Sequence, residues 1–203
     1  INRRLEDGER IIGKKVGVTS QVVMEMLKVN QPDFGQLTDR MLVNQGESID
    51  RSTMIQPKAE GEIAFVLKHD LSGPGVTVAD VLRATDGVMA CLEIVDSRIR
   101  DWKIKIQDTV ADNASCGVFV IGDRMVNPRD LDFYTTGMVL EINGHIVGMG
   151  TGAATMRSPV VAVAWLANTL GELGISLKAG AIVLSGARSG RVPVVAGDVV
   201  QLK

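Results

Sequence analysis

The sequence predicts an α+β fold: a dominant mixed, mainly antiparallel β-sheet system closed into a roll or sandwich, with few helices. Three observations carry this. Apolar segments of strand length recur along the chain and outnumber the helical ones. Turn signals built on Gly, Pro, Asn and Asp come often between them. Strands and helices do not alternate regularly and no segment repeats, which argues against a parallel βαβ architecture.

The elements follow in order. INRRLEDGER (1–10) is charged and reads as the end of a helix running into a loop. IIGKKVGVTS (11–20) reads as a short strand carrying Lys14 and Lys15. QVVMEMLKVN (21–30) reads as a short amphipathic helix with Val22, Val23, Met26 and Leu27 on one side. QPDFGQL (31–37) is punctuated by Pro32 and Gly35 and reads as a loop. Strands are predicted at 53–56 and 61–68, then a loop in HDLSGPGVT. TVADVLRATDG opens a helix with a capping-box pair, Thr77 and Asp80. VMACLEIVDSRI and SCGVFVIGD read as strands, separated by a mixed polar segment around Trp102. TGMVLEINGHIVGMGTG reads as a hairpin turning at Asn143-Gly144. SPVVAVAWLANTLGELG is the clearest helix, capped by Ser158, with Pro159 in its first turn and Gly174 at its stop. Strands around AIVLSG and GDVVQLK complete the pattern.

The 203 residues are 45% hydrophobic, enough for one domain with a real core. We expect a single catalytic domain, with an N-terminal segment (1–50) carrying Lys15 and Asp33 and a β-roll core (51–203). With 22 basic against 24 acidic residues and only 3% aromatics, neither nucleic acid nor an anionic surface is an expected partner. No run approaches the roughly 18 apolar residues of a membrane span. No secretory signal is visible, and Cys91 and Cys116 lack metal-ligand spacing. A cytoplasmic location is expected, with both cysteines as small core residues.

The chemistry lies in the charged residues of apolar segments. Glu60 and Glu62 are two apart in PKAEGEIAFVLK, so in a strand they share a face. Two like charges side by side need a positive partner or a wet face. Glu93 sits between Leu92 and Ile94 in an apolar strand. Three carboxylates on two strands with no histidine nearby suit a hard divalent cation. The plainer alternative is a wet sheet edge with Lys58 pairing the acids. Lys14 and Lys15 point to opposite faces, so one can face inward, where it needs a carboxylate partner and can act as acid or base. The alternative is a solvated pair. Asp33 could be a turn residue bonding its own backbone. Ser115 is a binding hydroxyl rather than a nucleophile, because His69 and His145 are the only histidines. The glycines of SGPG and GMGTG read as turns rather than a phosphate loop.

Taken together, GKKVGVTS, QPDFGQLTD, PKAEGEIAFVLK, LSGPGVT, EIVDSRIRDWKIKIQDTVADNASCG and VAWLANTLGELGISLKAG resemble the 2-hydroxypenta-2,4-dienoate hydratases. These belong to the fumarylacetoacetate hydrolase superfamily and act in catechol meta-cleavage. The resemblance covers residues 3–203. It implies a β-rich roll of the fumarylacetoacetate hydrolase C-terminal-domain type, with Mg²⁺ or Mn²⁺ on Glu60, Glu62 and Glu93. It also implies Lys15 and Asp33 as catalytic residues, Ser115 in substrate binding, and a cytoplasmic homo-oligomer. The implied reaction hydrates 2-hydroxypenta-2,4-dienoate, via its 2-oxo-3-enoate tautomer, to 4-hydroxy-2-oxopentanoate. Alternatives are the sister 4-oxalocrotonate decarboxylase, with which such hydratases associate, and a non-catalytic partner subunit. ATMRSP and SGARSGRVPV depart from the family pattern. They add Arg157, Arg188 and Arg191, which either alter substrate choice or lie on the surface.

Overall fold

The computed structural model describes residues 1–203. Eleven strands form two sheets: β1 (Ile11–Gly17), β2 (Asp33–Thr38), β3 (Leu42–Val43), β4 (Pro57–Leu67), β5 (Thr85–Asp96), β6 (Cys116–Ile121), β7 (Gly137–Ile142), β8 (His145–Thr151), β9 (Ile182–Leu184), β10 (Val192–Pro193) and β11 (Val200–Leu202). The helices are α1 (Asn2–Glu6), α2 (Gln21–Leu27), α3 (Val78–Ala84), α4 (Ile106–Ala111) and α5 (Pro159–Glu172). No helix is long and apolar enough to cross a membrane. The large sheet runs β2-β1-β9-β4-β5-β6-β3, with β10 also on β4, and the small sheet runs β11-β7-β8. Only β1–β9 and β3–β6 pair in parallel. The α+β roll expected from the sequence is therefore the observed architecture.

Alternation sorts the large sheet into two faces. Val16, Ile63, Phe65 and Val183 face outward and pack with Val81 and Ala84 of α3 and Val163, Leu166 and Leu170 of α5. Phe65 also stacks on Phe133, with centroids 5.4 Å apart. Burying a side chain such as Phe65 contributes about 1.5–3 kcal/mol. Further along, Ala59 and Ile94 pack on Met138 and Leu140 of the small sheet. The inner face carries a smaller apolar cluster, including Leu37, Ala64, Cys91, Cys116, Phe119 and Leu184.

Local signals account for the helices and the hairpin. The Thr77–Asp80 capping box is present at α3. Asn143 and Gly144 both have positive φ, at 53° and 78°, as a two-residue hairpin turn requires. Gly174 ends α5 in the left-handed region, at φ 71°. Ser158 occupies the N-cap position of α5, but its side chain makes no capping bond.

Five expectations are corrected. Residues 53–56 form no strand: a 3₁₀ turn covers Arg51–Thr53 and β4 starts at Pro57. Glu60, which the predicted strand at 61–68 leaves out, consequently lies inside β4 with Glu62. QPDFGQL is mostly strand, because Asp33–Thr38 pairs with β1. α2 ends at Leu27, where Lys28 turns left-handed, and none of its residues is buried. The GMGTG glycines are not all turn residues: Gly148 and Gly150 lie within β8.

Candidate active site

Strand register brings the charged groups onto the inner face. Glu60 lies opposite Glu93 and Glu62 opposite Cys91 on β4 and β5. Across β9, Ala64 aligns with Leu184, and Leu184 with Lys15. On β1 and β2, Lys15 is opposite Gly35 and Gly17 opposite Asp33. Directly opposed residues share a face. Lys15, Asp33, Glu60, Glu62 and Glu93 therefore all point inward, although they come from four strands. Asp33 fits because Gly17 has no side chain: a Cβ there would lie 2.2 Å from Asp33 Oδ1.

Both alternatives for the charged pairs fail. The acids are not at a wet edge, since Glu62 and Glu93 are wholly buried. Lys58 does not pair them; its ammonium lies 4.7 Å from the centroid of Trp102. Nor are the lysines solvated. Lys15 is 2% exposed and lies 2.8 Å from Glu93 Oε1, while donating to the Ala114 carbonyl at 3.1 Å. Lys14, on the opposite face, is also buried and bonds Gln36.

The three glutamates converge, each offering an oxygen within 4.8 Å of the others. Gly186 N–H donates to Glu62 Oε2 at 2.8 Å and the Lys15 ammonium meets Glu93 Oε1, but Glu62 Oε1 and Glu93 Oε2 have no hydrogen-bond partner. Burial, opposed by Lys15 and reinforced by Glu93, pushes Glu60 up to about 7. Burial and Glu93 also hold Glu62 well above its ordinary range. For Lys15, burial pushes downward, but Glu93 and then Cys116, Glu60 and Glu62 outweigh it, and the ammonium ends above its ordinary value. Three carboxylates thus converge on the Lys15 ammonium, with Arg191 reaching only Glu60 from the rim, and two of them keep an unpartnered oxygen. That donor set fits a hard divalent cation, which takes oxygen ligands and offsets the excess negative charge.

A cavity of about 360 Å³ opens beside this centre. Lys15, Asp33, Glu60 and Ser115 line it, and neither Asp33 oxygen has a hydrogen-bond partner. Val22, Val23, Leu27 and Ile104 form an apolar part of the wall. The apolar side of α2 thus borders the cavity rather than the core.

Sequence reasoning missed the turn that presents Ser115. Asn113, Ala114 and Ser115 have φ of 56°, 52° and 53°, a left-handed run that costs non-glycine residues about 1–2 kcal/mol each. Asn113 holds it by accepting from Gln36 N–H at 2.7 Å and donating to Gln36 O at 2.9 Å. Gly35 allows the approach, since a Cβ there would lie 2.5 Å from the Asn113 carbonyl oxygen. The Ser115 hydroxyl donates to Asp112 Oδ2 at 3.2 Å. The signal was Asn113, because asparagine tolerates this region better than most residues.

The three arginines separate. Arg157 is exposed, whereas Arg188 and Arg191 line the cavity. Arg191 Nε lies 3.5 Å from Glu60 Oε1, and its guanidinium sits 4.9 Å from the Trp102 ring centroid. Both cysteines are buried, and burial pushes their thiols up, as suits inert core residues.

Known proteins share this arrangement of sequence and fold. The family described as fumarylacetoacetate (FAA) hydrolase C-terminal matches residues 13–203. A 2-hydroxypent-2,4-dienoate hydratase of Pseudomonas putida is 64% identical over 177 residues, covering 87% of this chain and 80% of that protein. A 2-hydroxyhexa-2,4-dienoate hydratase of Comamonas testosteroni is 59% identical, covering 96% of this chain and 75% of that protein. Among solved structures, 4-oxalocrotonate decarboxylase from Pseudomonas putida G7, complexed with magnesium and adipate, superposes with a TM-score of 0.96 at 39% identity. That match covers 99% of this chain and 76% of the decarboxylase.

Proposed function

The chain belongs to the fumarylacetoacetate hydrolase family, and from that premise we propose that it is a metal-dependent hydratase of 2-hydroxypenta-2,4-dienoate. The product is 4-hydroxy-2-oxopentanoate, and the setting is aromatic meta-cleavage. One observation carries the proposal: Lys15, Asp33 and the three glutamates share one inner face beside one cavity.

Glu60, Glu62 and Glu93 would hold Mg²⁺ or Mn²⁺, and when bound the ion supplies Lewis acidity toward negative charge developing on the substrate's 2-oxygen. The chain's own groups move the protons. Loss of the 2-hydroxyl proton and gain of a proton at C5 convert the dienol to 2-oxopent-3-enoate. Lys15 is the candidate proton-exchanging group for this step because it lies on the cavity wall beside the acidic centre, and a cation on the glutamates would relieve the carboxylate charge that otherwise makes its ammonium hold its proton. Water then adds across C3 and C4, its oxygen bonding C4 while C3 takes a proton. Asp33 accepts the water's proton, having two oxygens that no protein donor occupies. Ser115 orients the bound acid from the cavity wall, and Val22, Val23 and Leu27 keep bulk water from its tail.

The identities favour this over decarboxylation, since the hydratases are 64% and 59% identical and the decarboxylase 39%. A purely structural subunit has no use for a buried lysine and an unpartnered aspartate beside a cavity. The test follows dienoate absorbance with and without chelator, and with Mg²⁺ restored. Metal-dependent loss of 2-hydroxypentadienoate is expected. Preference for 4-oxalocrotonate with CO₂ release would overturn the hydratase assignment.

A further inference from the structure

Arg188 carries hydrogen-bond donors that the fold leaves idle. It is 5% exposed, and a guanidinium offers five N–H donors in a planar fork. Its side-chain hydrogen bond runs from Nη1 to the Thr136 carbonyl, 3.0 Å away, while Nε is buried with no partner. The ion pairs of the acidic centre go instead to Lys15 and Arg191. Glu62 is near enough to act on its charge, but no carboxylate makes an ion pair with it, and a buried guanidinium donor left unmet is costly unless a ligand meets it.

The residue is also held in place. Its backbone N–H donates to Gly61 O at 3.1 Å, between two of the clustered glutamates in sequence. Gly150 lets the chain approach, because a Cβ there would lie 1.9 Å from the Arg188 carbonyl oxygen. The Thr155 hydroxyl donates to the Ala187 carbonyl at 3.1 Å. Arg188 thus enters the wall of the cavity that holds Lys15, Asp33 and Ser115 from a fixed backbone.

We propose that Arg188 is a specificity-determining residue that binds a carboxylate of the ligand in this cavity. The proposal rests on reading the chain as an enzyme of 2-oxo acids. A planar fork matches a carboxylate in two-point contact, which an ammonium does not reproduce. The carboxylate is either the one beside the 2-oxo group or a second one at the far end of a longer substrate.

Calorimetry on the Mg²⁺-loaded protein separates these cases, using 2-oxopentanoate and 2-oxohexanedioate, which share a head and differ in a distal carboxylate. Arg188→Gln is expected to weaken binding about 10- to 100-fold, with Mg²⁺ affinity and melting temperature retained. Equal weakening of both ligands assigns Arg188 to the head, and weakening of the dioate alone assigns it to the tail. Arg188→Lys keeps the charge without the fork and is expected to fall between. Both ligands binding Arg188→Gln within about twofold of wild type, or neither binding wild type, overturns the proposal. Should that variant not fold, unchanged affinity in Arg188→Lys overturns it equally. Turnover of 2-hydroxypentadienoate by wild type is read separately, so failure of the hydratase reading stays distinct from loss of Arg188-dependent binding.

Discussion

Replacing Lys15 with Met would remove the ammonium that sits 2.8 Å from Glu93 Oε1 and leave side-chain volume nearly constant. The pair is buried on both sides, with side-chain exposures of 3% and 0%, so solvent screening does not soften the loss. Breaking a buried pair by removing one partner costs about 3–5 kcal/mol. At about 2–4 °C per kcal/mol for a chain of this size, the metal-free protein should melt roughly 10 °C lower. The loss should be largest above pH 7, where Glu60 is ionised, and should shrink as falling pH protonates it. Saturating Mg²⁺ should restore most of the lost stability, because a divalent ion compensates the same carboxylates. Mg²⁺ affinity should rise, since a competing cation is gone, while kcat should fall about 10²–10⁴-fold. Calorimetric melting and Mg²⁺ titration at pH 6 and 8 measure all of this. Weaker Mg²⁺ binding in the variant, or a stability loss that saturating Mg²⁺ does not relieve, would refute the reasoning.

Three further outcomes are expected. Asp33→Asn should leave Mg²⁺ affinity and solvent-deuterium uptake at C5 intact but slow water addition about 10²–10⁴-fold; equal loss of both steps would count against the role given to Asp33. Gly17→Ala should push the Asp33 carboxylate aside, given a Cβ 2.2 Å from Oδ1, and so lower kcat far more than melting temperature; full activity would contradict that geometry. Glu60 is raised from its ordinary 4.5 to about 7, so its contribution to metal-free stability is fully present below pH 4.5 and is lost as pH climbs through 7. The same proton competes with Mg²⁺, so affinity should rise up to about tenfold per pH unit below 7 and flatten above it; a flat titration series would exclude this coupling.

The legible parts were those set by short-range chemistry. Asn143-Gly144, the Thr77–Asp80 box and Gly174 fix backbone conformation within a few residues, and each ends or begins the element expected of it. The acidic cluster was legible because side chains alternate in strands and a carboxylate between Leu92 and Ile94 is out of place. Asp33 was harder, because Pro32 and Gly35 signal a loop and only pairing with β1 makes the segment extended. That pairing is non-local and overrides the local signal. The burial of Lys14 was not legible, because alternation names the opposite face without saying whether that face is wet. α2 was legible as an amphipathic helix, but amphipathicity shows that a face seeks cover, not whether core or cavity supplies it. Arg188 lies in a loop-like stretch whose burial depends on Gly150, a residue from another sheet.

The short strand β9 has a consequence for how the two groups of charged residues come to share one sheet. It pairs in parallel with β1 and antiparallel with β4, and so stands between the strand carrying Lys15 and the strand carrying two of the glutamates. Ile182–Leu184 leave the ribosome long after both neighbours. Until they arrive, the two halves of the site have no common sheet, and closing so long a loop is slow. Sheet continuity between the lysine and the carboxylates runs through this late segment. A chain lacking it would carry these residues without the strand that joins them in one sheet.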